Sequence, residues 1–325
     1  MQFSVLKCVG SGGSGVLFQP TNQDYKNPRE ITLPYTLKNL STSGVITSSI
    51  DTEGNCYLWT ENRHIFLKSH VKSISCGWSH VLLLTEEDVF VYGKGSSGQL
   101  GQGKISSIQS PSHLNLGPCL YVACGFRTSY IIHKEGTFVF GENHKFQLGL
   151  GHKNQVKTPV NNTSLINITQ IAGGNKHAIA CKDHILYKWG TNSFGQLGSI
   201  DLEIPIPISI DLQMHIKSIS SGWNHIYVLL DNGDLLSSGK GDLGQNGSGD
   251  FVDKGFLNVI LQGVEVIDSG SEHGVAISSD NVYTWGWNEH GNLGIGDTNN
   301  RCVPTLLGFT AKQVWAGGAV TYFLS

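Results

Sequence analysis

Residues 10 to 15 read Gly-Ser-Gly-Gly-Ser-Gly and follow the apolar run "VLKCV". Glycines spaced as GxGxxG let a backbone approach a pyrophosphate at a helix N-terminus, with an acid about 20 residues on to hold the ribose. Glu30 stands near that distance, but Pro20 and Pro28 interrupt the stretch that should be helical, so the glycines need another reason. His80, His177, His225 and His273 recur at one spacing and are candidate metal ligands, since zinc takes imidazole nitrogens at about 2 Å. Cys119 and Cys124 lie five apart near His113, a looser spacing than a zinc site wants. The chain has 25 acidic residues, but no spacing singles out a pair for hydrolysis. No GxSxG, HExxH or P-loop is present. The sequence thus gives no catalytic, cofactor-binding or metal-binding residue.

The 325 residues are 39% hydrophobic with a mean hydropathy of −0.09, enough apolar content for a substantial core. No apolar run reaches the roughly 18 to 20 residues of a membrane span, and the N-terminus has no signal-peptide pattern. Triplets such as Asn161-Asn162-Thr163 are therefore expected to be unmodified. Net charge is −3, and the scattered Lys and Arg form no stripe for phosphate contacts, which argues against direct nucleic-acid binding. Seven cysteines without a CxxC fit reduced thiols of the cytosol or nucleus.

Glycine is the outlier, at 41 residues, and it recurs. Five stretches align: "ISCGWSHVLLLTEEDVFVYGKGSSGQLGQG" from Ile74, "VACGFRTSYIIHKEGTFVFGENHKFQLGLG" from Val122, "IAGGNKHAIACKDHILYKWGTNSFGQLGS" from Ile171, "ISSGWNHIYVLLDNGDLLSSGKGDLGQNGSG" from Ile219 and "IDSGSEHGVAISSDNVYTWGWNEHGNLGIG" from Ile267. Their anchor glycines are Gly77, Gly125, Gly174, Gly222 and Gly270, and Gly317 continues the series at steps of 47 to 49 residues. An aromatic stands fifteen residues after four of them, at Tyr92, Phe140, Trp189 and Trp285. An eroded first copy places Gly44 fifteen residues before Trp59, which makes seven anchors. Each unit reads as short strands bounded by Gly, Asn and Asp, with hairpins such as "HVLLL–TEED–VFVYG", and no window holds a helical period. Repeats of 40 to 50 residues built from short strands predict an all-β, seven-bladed propeller spanning residues 1 to 325. The seventh unit stops at Ser325, and "FSVLKCVG" with "SGGSG" supplies its missing strand and tip. The ends are expected to share one blade, which turns the GxGxxG into a blade-tip turn.

The blocks "GWSHVLLLT", "YGKGSSGQLGQG", "WGTNSFGQLG" and "WGWNEHGNLGIGD" resemble the regulator-of-chromosome-condensation repeat family, whose members are seven-bladed propellers closed by both chain ends. The family includes exchange factors, a plant ultraviolet-B photoreceptor and adaptors, so fold alone does not fix function. Light sensing is not expected, because the positions matching the photoreceptor's Trp-Arg-His-Thr clusters read Trp78-Ser79-His80-Val81 and Trp223-Asn224-His225-Ile226. "SGSEHGVAI", "WGWNEHGNLG" and "AGGAVTYFL" are similar to the alpha-tubulin suppressor branch of yeasts, and also to the secretion-regulating exchange-factor-like branch of animals. The yeast resemblance implies a non-enzymatic adaptor, cytoplasmic and nuclear. Its implied partner is a small CSL-type zinc protein, and its implied role is to support diphthamide synthesis and Elongator-dependent tRNA wobble-uridine modification. The alternative is a guanine-nucleotide exchange factor for a small GTPase, although no long blade insertion offers itself as a wedge.

In a propeller the four histidines point outward around a ring and cannot share a metal. They are expected to pack between blades with a ring N–H bonded to a neighbouring strand, and Cys76 and Cys124 to fill small inner-strand positions. Trp285 repeats Tyr92 and Trp189 and is expected in the core. Trp287 has no counterpart in the other tips. With Asn288, Glu289 and His290 it forms the candidate partner-binding site, since Trp is enriched at interface hot spots. Glu272, His273, Trp78 and Trp223 are further candidates.

Overall fold

The computed structural model describes residues 4–13, 17, 23–60, 63–104 and 106–325. Among them are 28 strands in seven antiparallel four-stranded sheets, and no helix long and apolar enough to cross a membrane. From the axis outward, each sheet runs in chain order for blades 1 to 6. Their innermost strands are Leu37–Ser43, Val71–Cys76, Tyr121–Cys124, Gln170–Gly173, Ile216–Ser221 and Val264–Ser269. Blade 7 takes its two inner strands, Gln313–Gly317 and Val320–Leu324, from the C-terminus and its two outer ones, Val5–Gly10 and Tyr25–Thr32, from the N-terminus. The innermost strands touch in sequence, and Gln313–Gly317 meets Leu37–Ser43, so the ring is closed. The joint is a ladder pairing Leu6 with Leu324 and Gly10 with Val320.

Second strands are apolar on both sides because each lies between two neighbouring blades. His80–Thr85 and His225–Leu230 are buried at every residue. Outer strands are exposed along most of their length, as in Tyr25–Thr32, where Tyr25 and Ile31 are the buried residues. The largest buried side chains are third-strand aromatics and their neighbours: Trp189, Trp285, Tyr130, Tyr227, Phe140. Polar atoms tie each blade to the one before. Trp189 Nε1 donates to the Gln147 carbonyl of the preceding blade at 2.8 Å, which also accepts from Tyr130 Oη of its own blade at 2.7 Å, and Trp285 Nε1 donates to that of Gln245 at 3.2 Å.

The GxGxxG has its explanation in the ladder. Gly10 pairs with Val320 as Gly93 pairs with His80 and Gly141 with Thr128. All three belong to a set of third-strand terminal glycines, with Gly190, Gly239 and Gly286, at φ between 98° and 117°. Gly12 and Gly13 follow in the tip, and Gly15 lies outside the described residues. One anchor differs from the sequence expectation. In blade 1 Thr42 pairs with Thr47 as Cys76 pairs with Val81, which puts Ser43 in the anchor register and Gly44 one place later. Gly44 is needed for another reason, since a Cβ there would enter the Trp78 ring.

Gly190 sits at φ 98°, and a Cβ on it would lie 2.5 Å from the Lys176 carbonyl oxygen and 2.6 Å from His177 Cα. Gly190→Ala is expected to cost about 2 kcal/mol or more. Gly308→Ala, where a Cβ meets nothing within 4 Å, is expected to stay near wild type. Urea unfolding of the two variants checks this, and equal midpoints would contradict it.

Candidate partner-binding face

The turn after each anchor and the tip after each third strand lie at the same end of their blade. Backbone bonds join them: Lys94 N–H to Ser79 O at 2.8 Å, Thr191 to Lys176 at 2.9 Å, Lys240 to Asn224 at 2.9 Å and Trp287 to Glu272 at 2.8 Å. Successive turns are themselves linked around the axis. Trp78 N–H donates to Phe126 O at 3.0 Å, Asn175 to Trp223 O at 3.2 Å and Trp223 to Ser271 O at 2.8 Å. All eight sequence candidates therefore fall on one face.

At its centre Trp78 and Trp223 come together, with ring centroids 5.7 Å apart, and Phe126 packs on both at 4.9 and 5.8 Å. The three half-buried rings sit over an axial channel that holds a cavity of about 220 Å³, lined by Ser75, Ser220, Ser221, Ser269 and Asp268. Asp268 accepts from Ser220 Oγ, Ser269 N and Ala316 N at 3.2, 2.9 and 2.9 Å. Burial pushes its carboxyl up to about 6 despite those bonds.

The four histidines fill the space that a Cβ on Gly77, Gly174, Gly222 or Gly270 would take, which explains the GxxH spacing. His80 Nε2 meets Ser129 Oγ at 3.0 Å, His177 meets Ser221 Oγ at 3.0 Å and His273 meets Thr321 Oγ1 at 2.9 Å, each in the next blade. His225 instead packs edge-on to Tyr227 at 4.8 Å. The rings point apart, and among the described residues no group of three His, Cys, Asp or Glu could hold a metal. Cys124 donates to Ser75 O at 3.2 Å and Cys119 to Gly117 O at 3.3 Å, each within its own surroundings.

At the blade 6 tip, Trp287 is half-buried, Glu289 exposed and Asn288 buried. Asn288 holds the tip together: its Oδ1 accepts from Leu293 N at 2.9 Å and its amide donates to Asp297 O and Asn299 O at 3.0 and 3.1 Å. His290 stands edge-on to Trp287 at 5.2 Å and bonds Asp24 of blade 7 at 2.7 Å. Glu272 is 8% exposed and bonded by two amides, Gln245 Nε2 at 2.8 Å and Asn224 Nδ2 at 3.4 Å. Burial raises its carboxyl above the ordinary 4.5, and these amides oppose the shift. The surface-reaching candidates are thus Trp287, Glu289, His290, Trp78 and Trp223. Asn288 and His273 are enclosed, and act on the face only by holding its turns. Spacing alone did not reveal Phe126 as the third ring, Asp24 as the brace of His290, or Asp268. The first could have been found, since Phe126 occupies the same place after its anchor as Trp78 and Trp223.

A family model described as an RCC1-like domain matches residues 67–323. The ultraviolet-B receptor UVR8 of Arabidopsis thaliana is 32% identical over 251 residues, covering 74% of this chain and 47% of that protein. The secretion-regulating guanine nucleotide exchange factor of Mus musculus is 30% identical over 174 residues, covering 45% and 38%. The chain thus spans less than half the length of these relatives. Human WBSCR16 superposes with a TM-score of 0.88 at 20% identity, covering 99% of this chain and 98% of that one. Prp20p of Saccharomyces cerevisiae, described with its binding to Gsp1p and histones, gives 0.88 at 23% over 100% and 92%. At these identities the two structures speak for the fold.

Burial holds the four imidazoles far below their ordinary 6.5, His80 and His273 at about 4, His177 and His225 at about 3. The unfolded chain therefore binds more protons as pH falls below 6.5. Stability that is full above that pH is lost on acidification, at about 1.4 kcal/mol per pH unit for each histidine. Asp268 opposes this: raised from 3.8 to about 6, its contribution is present below 3.8 and lost as pH rises through 6. The urea midpoint is expected to drop steeply between pH 6.5 and 4.5, and Asp268→Asn to steepen the drop. A flat profile, or a shallower one in the variant, would overturn this assignment.

Proposed function

Since the chain belongs to the RCC1-like domain family, we propose that it is a protein-binding propeller that uses its tip face as an adaptor surface. Its partner on this reading is a small CSL-type zinc protein, and the complex supports diphthamide synthesis and Elongator-dependent wobble-uridine modification in cytoplasm and nucleus. The observation that carries the adaptor reading is Trp287. It is a large ring left half-exposed on a blade tip whose backbone is locked by Asn288 and whose neighbour His290 is fixed by Asp24. A rigid, pre-positioned aromatic loses little entropy on binding and makes a strong anchor. The choice of partner is supported by the resemblance of "SGSEHGVAI", "WGWNEHGNLG" and "AGGAVTYFL" to the yeast branch. Guanine-nucleotide exchange on a small GTPase is the second reading, supported by the 30% identity to the mouse exchange factor.

Co-purification of the tagged chain from a native extract, with mass spectrometry of its partners, separates the two. The expected result is a stoichiometric CSL zinc protein whose affinity falls about thirtyfold in Trp287→Ala, a loss of about 2 kcal/mol typical of an interface hot spot. A small GTPase recovered only after nucleotide removal, with no zinc protein, would replace the adaptor reading by exchange. Binding unchanged in Trp287→Ala would keep the function and move the site.

A further inference from the structure

Seven outer strands leave seven open sheet edges, and the repeat lets them be compared position by position. In five blades the residue three places after the partner of the third-strand glycine is proline. Tyr25 opposite Gly10 precedes Pro28, Ile108 opposite Gly93 precedes Pro111, and Val156 opposite Gly141 precedes Pro159. Ile204 opposite Gly190 precedes Pro207, and Arg301 opposite Gly286 precedes Pro304. A proline offers no N–H and blocks an incoming strand, which is how natural sheets protect their edges. The blade 1 edge, "RHIFLK", lacks the proline but carries basic residues, the other common protection.

Blade 5 has no proline, and its one basic residue, Lys254 at the strand's start, is held by Asp250 at 2.7 Å. Gly239 pairs with Lys254, which puts Leu257 in the proline's place on the outer strand Lys254–Leu261. From Gly255 to Gln262 the sequence "GFLNVILQ" holds no charge and no proline. Phe256 is 64% and Val259 51% exposed, and Phe251 and Val252 continue the apolar surface into the tip. The Asn258 amide bonds the Phe256 carbonyl at 2.9 Å, a bond that an incoming N–H can replace. Both ends of the strand are acidic. Asp253 precedes it, and Asp234 and Glu265 lie at the far end, where Asp234 bonds Gln262 at 2.8 Å. Among the described residues none of the three is in an ion pair.

We propose that this edge takes up an extended, uncharged apolar segment of a partner protein, flanked by lysines or arginines, as a fifth strand of blade 5. Main-chain bonds to the open edge supply the affinity, apolar side chains of the segment lie against the exposed Phe256 and Val259, and the flanking cations meet the carboxylates at either end. Charge decides against a second copy of this chain. Antiparallel self-pairing about Asn258 brings Asp253 of each copy toward the Gly263–Glu265 end of the other, acid on acid. The surface is on the circumference, apart from Trp287 on the tip face of blade 6, and does not depend on the function proposed for that face.

The probe is a fluorescein-labelled peptide, Lys-Lys-Thr-Val-Ile-Val-Thr-Lys-Lys, titrated with the whole protein by anisotropy and followed by amide hydrogen exchange. Saturable binding is expected, with slowed exchange in residues 254 to 261. Leu257→Pro installs what five blades already carry, and Val259→Lys changes an exposed position. Each is expected to weaken binding about tenfold or more, and so is replacing the peptide's lysines with glutamates. If Leu257→Pro fails to fold, Val259→Lys alone decides. Absence of saturable binding, protection outside the strand, or unchanged binding in a folded Val259→Lys would overturn the proposal. A dimer seen by ultracentrifugation and abolished by either variant would overturn it in favour of self-pairing.

Discussion

The close approach of a third-strand glycine to the turn after the anchor fixes the geometry of this ring. At Gly93, Gly141, Gly190, Gly239 and Gly286 a Cβ would lie 2.4 to 2.6 Å from a carbonyl oxygen of that turn. The same carbonyl accepts the N–H of the residue after the glycine, as Ser79 does from Lys94 and Glu272 from Trp287. A side chain at the glycine would part the turn from the tip, and the tip would lose its aim. A φ of 98° to 117° lies beyond the left-handed region that asparagine visits, and the steric contact leaves no room for a Cβ, so glycine is required twice over. Every feature of the tip face, from the Trp78–Phe126–Trp223 cluster to Trp287, inherits its position from this contact.

Apolar packing between blades is strong but poorly directional, and polar atoms supply the register. The tip residues Gln99, Gln147, Gln196 and Gln245 are buried, and each side-chain Oε1 folds back on an N–H of its own tip. That leaves the backbone carbonyl free for a hydroxyl or indole of the following blade, such as Ser129, Trp189 or Ser238. His80, His177 and His273 add a second set of inter-blade bonds, and their burial keeps them neutral. A ring locked in this way presents its turns and tips already ordered, so a partner gains contacts without having to organise loops.

The architecture was legible because a propeller writes its geometry as a period. Spacing of Gly77 to Gly317, hairpin lengths and the incomplete last unit were enough to place the joint between Val5–Gly10 and Val320–Leu324. Side-chain direction is not periodic in the same way. Asn288 and Trp287 are neighbours in a polar tip, yet one is enclosed and the other half-exposed. Gly44 misled because it answers to the Trp78 ring rather than to the anchor register. His290 of blade 6 and Asp24 of blade 7 meet between neighbouring blades, 266 residues apart in sequence, and no local pattern predicts such a pair.

Equivalent positions in a repeat share one steric environment, so whatever the fold demands appears in most blades, and departures from it mark where some other demand has acted. The anchor-register histidine and the third-strand glycine follow the common rule. Trp287 stands where other blades carry Lys94, Glu142, Thr191 and Lys240, residues that satisfy the same backbone bond without a large ring. Leu257 stands where five blades carry proline, at an edge that the common rule closes. Trp287 packs edge-on to His290 and Leu257 against the main hydrophobic cluster, yet neither side chain is fully enclosed. A half-exposed indole and an open apolar edge both carry a cost in solubility. Trp287 lies on the tip face of blade 6 and Leu257 on the circumference of blade 5, two separate surfaces at which the chain departs from its own repeat.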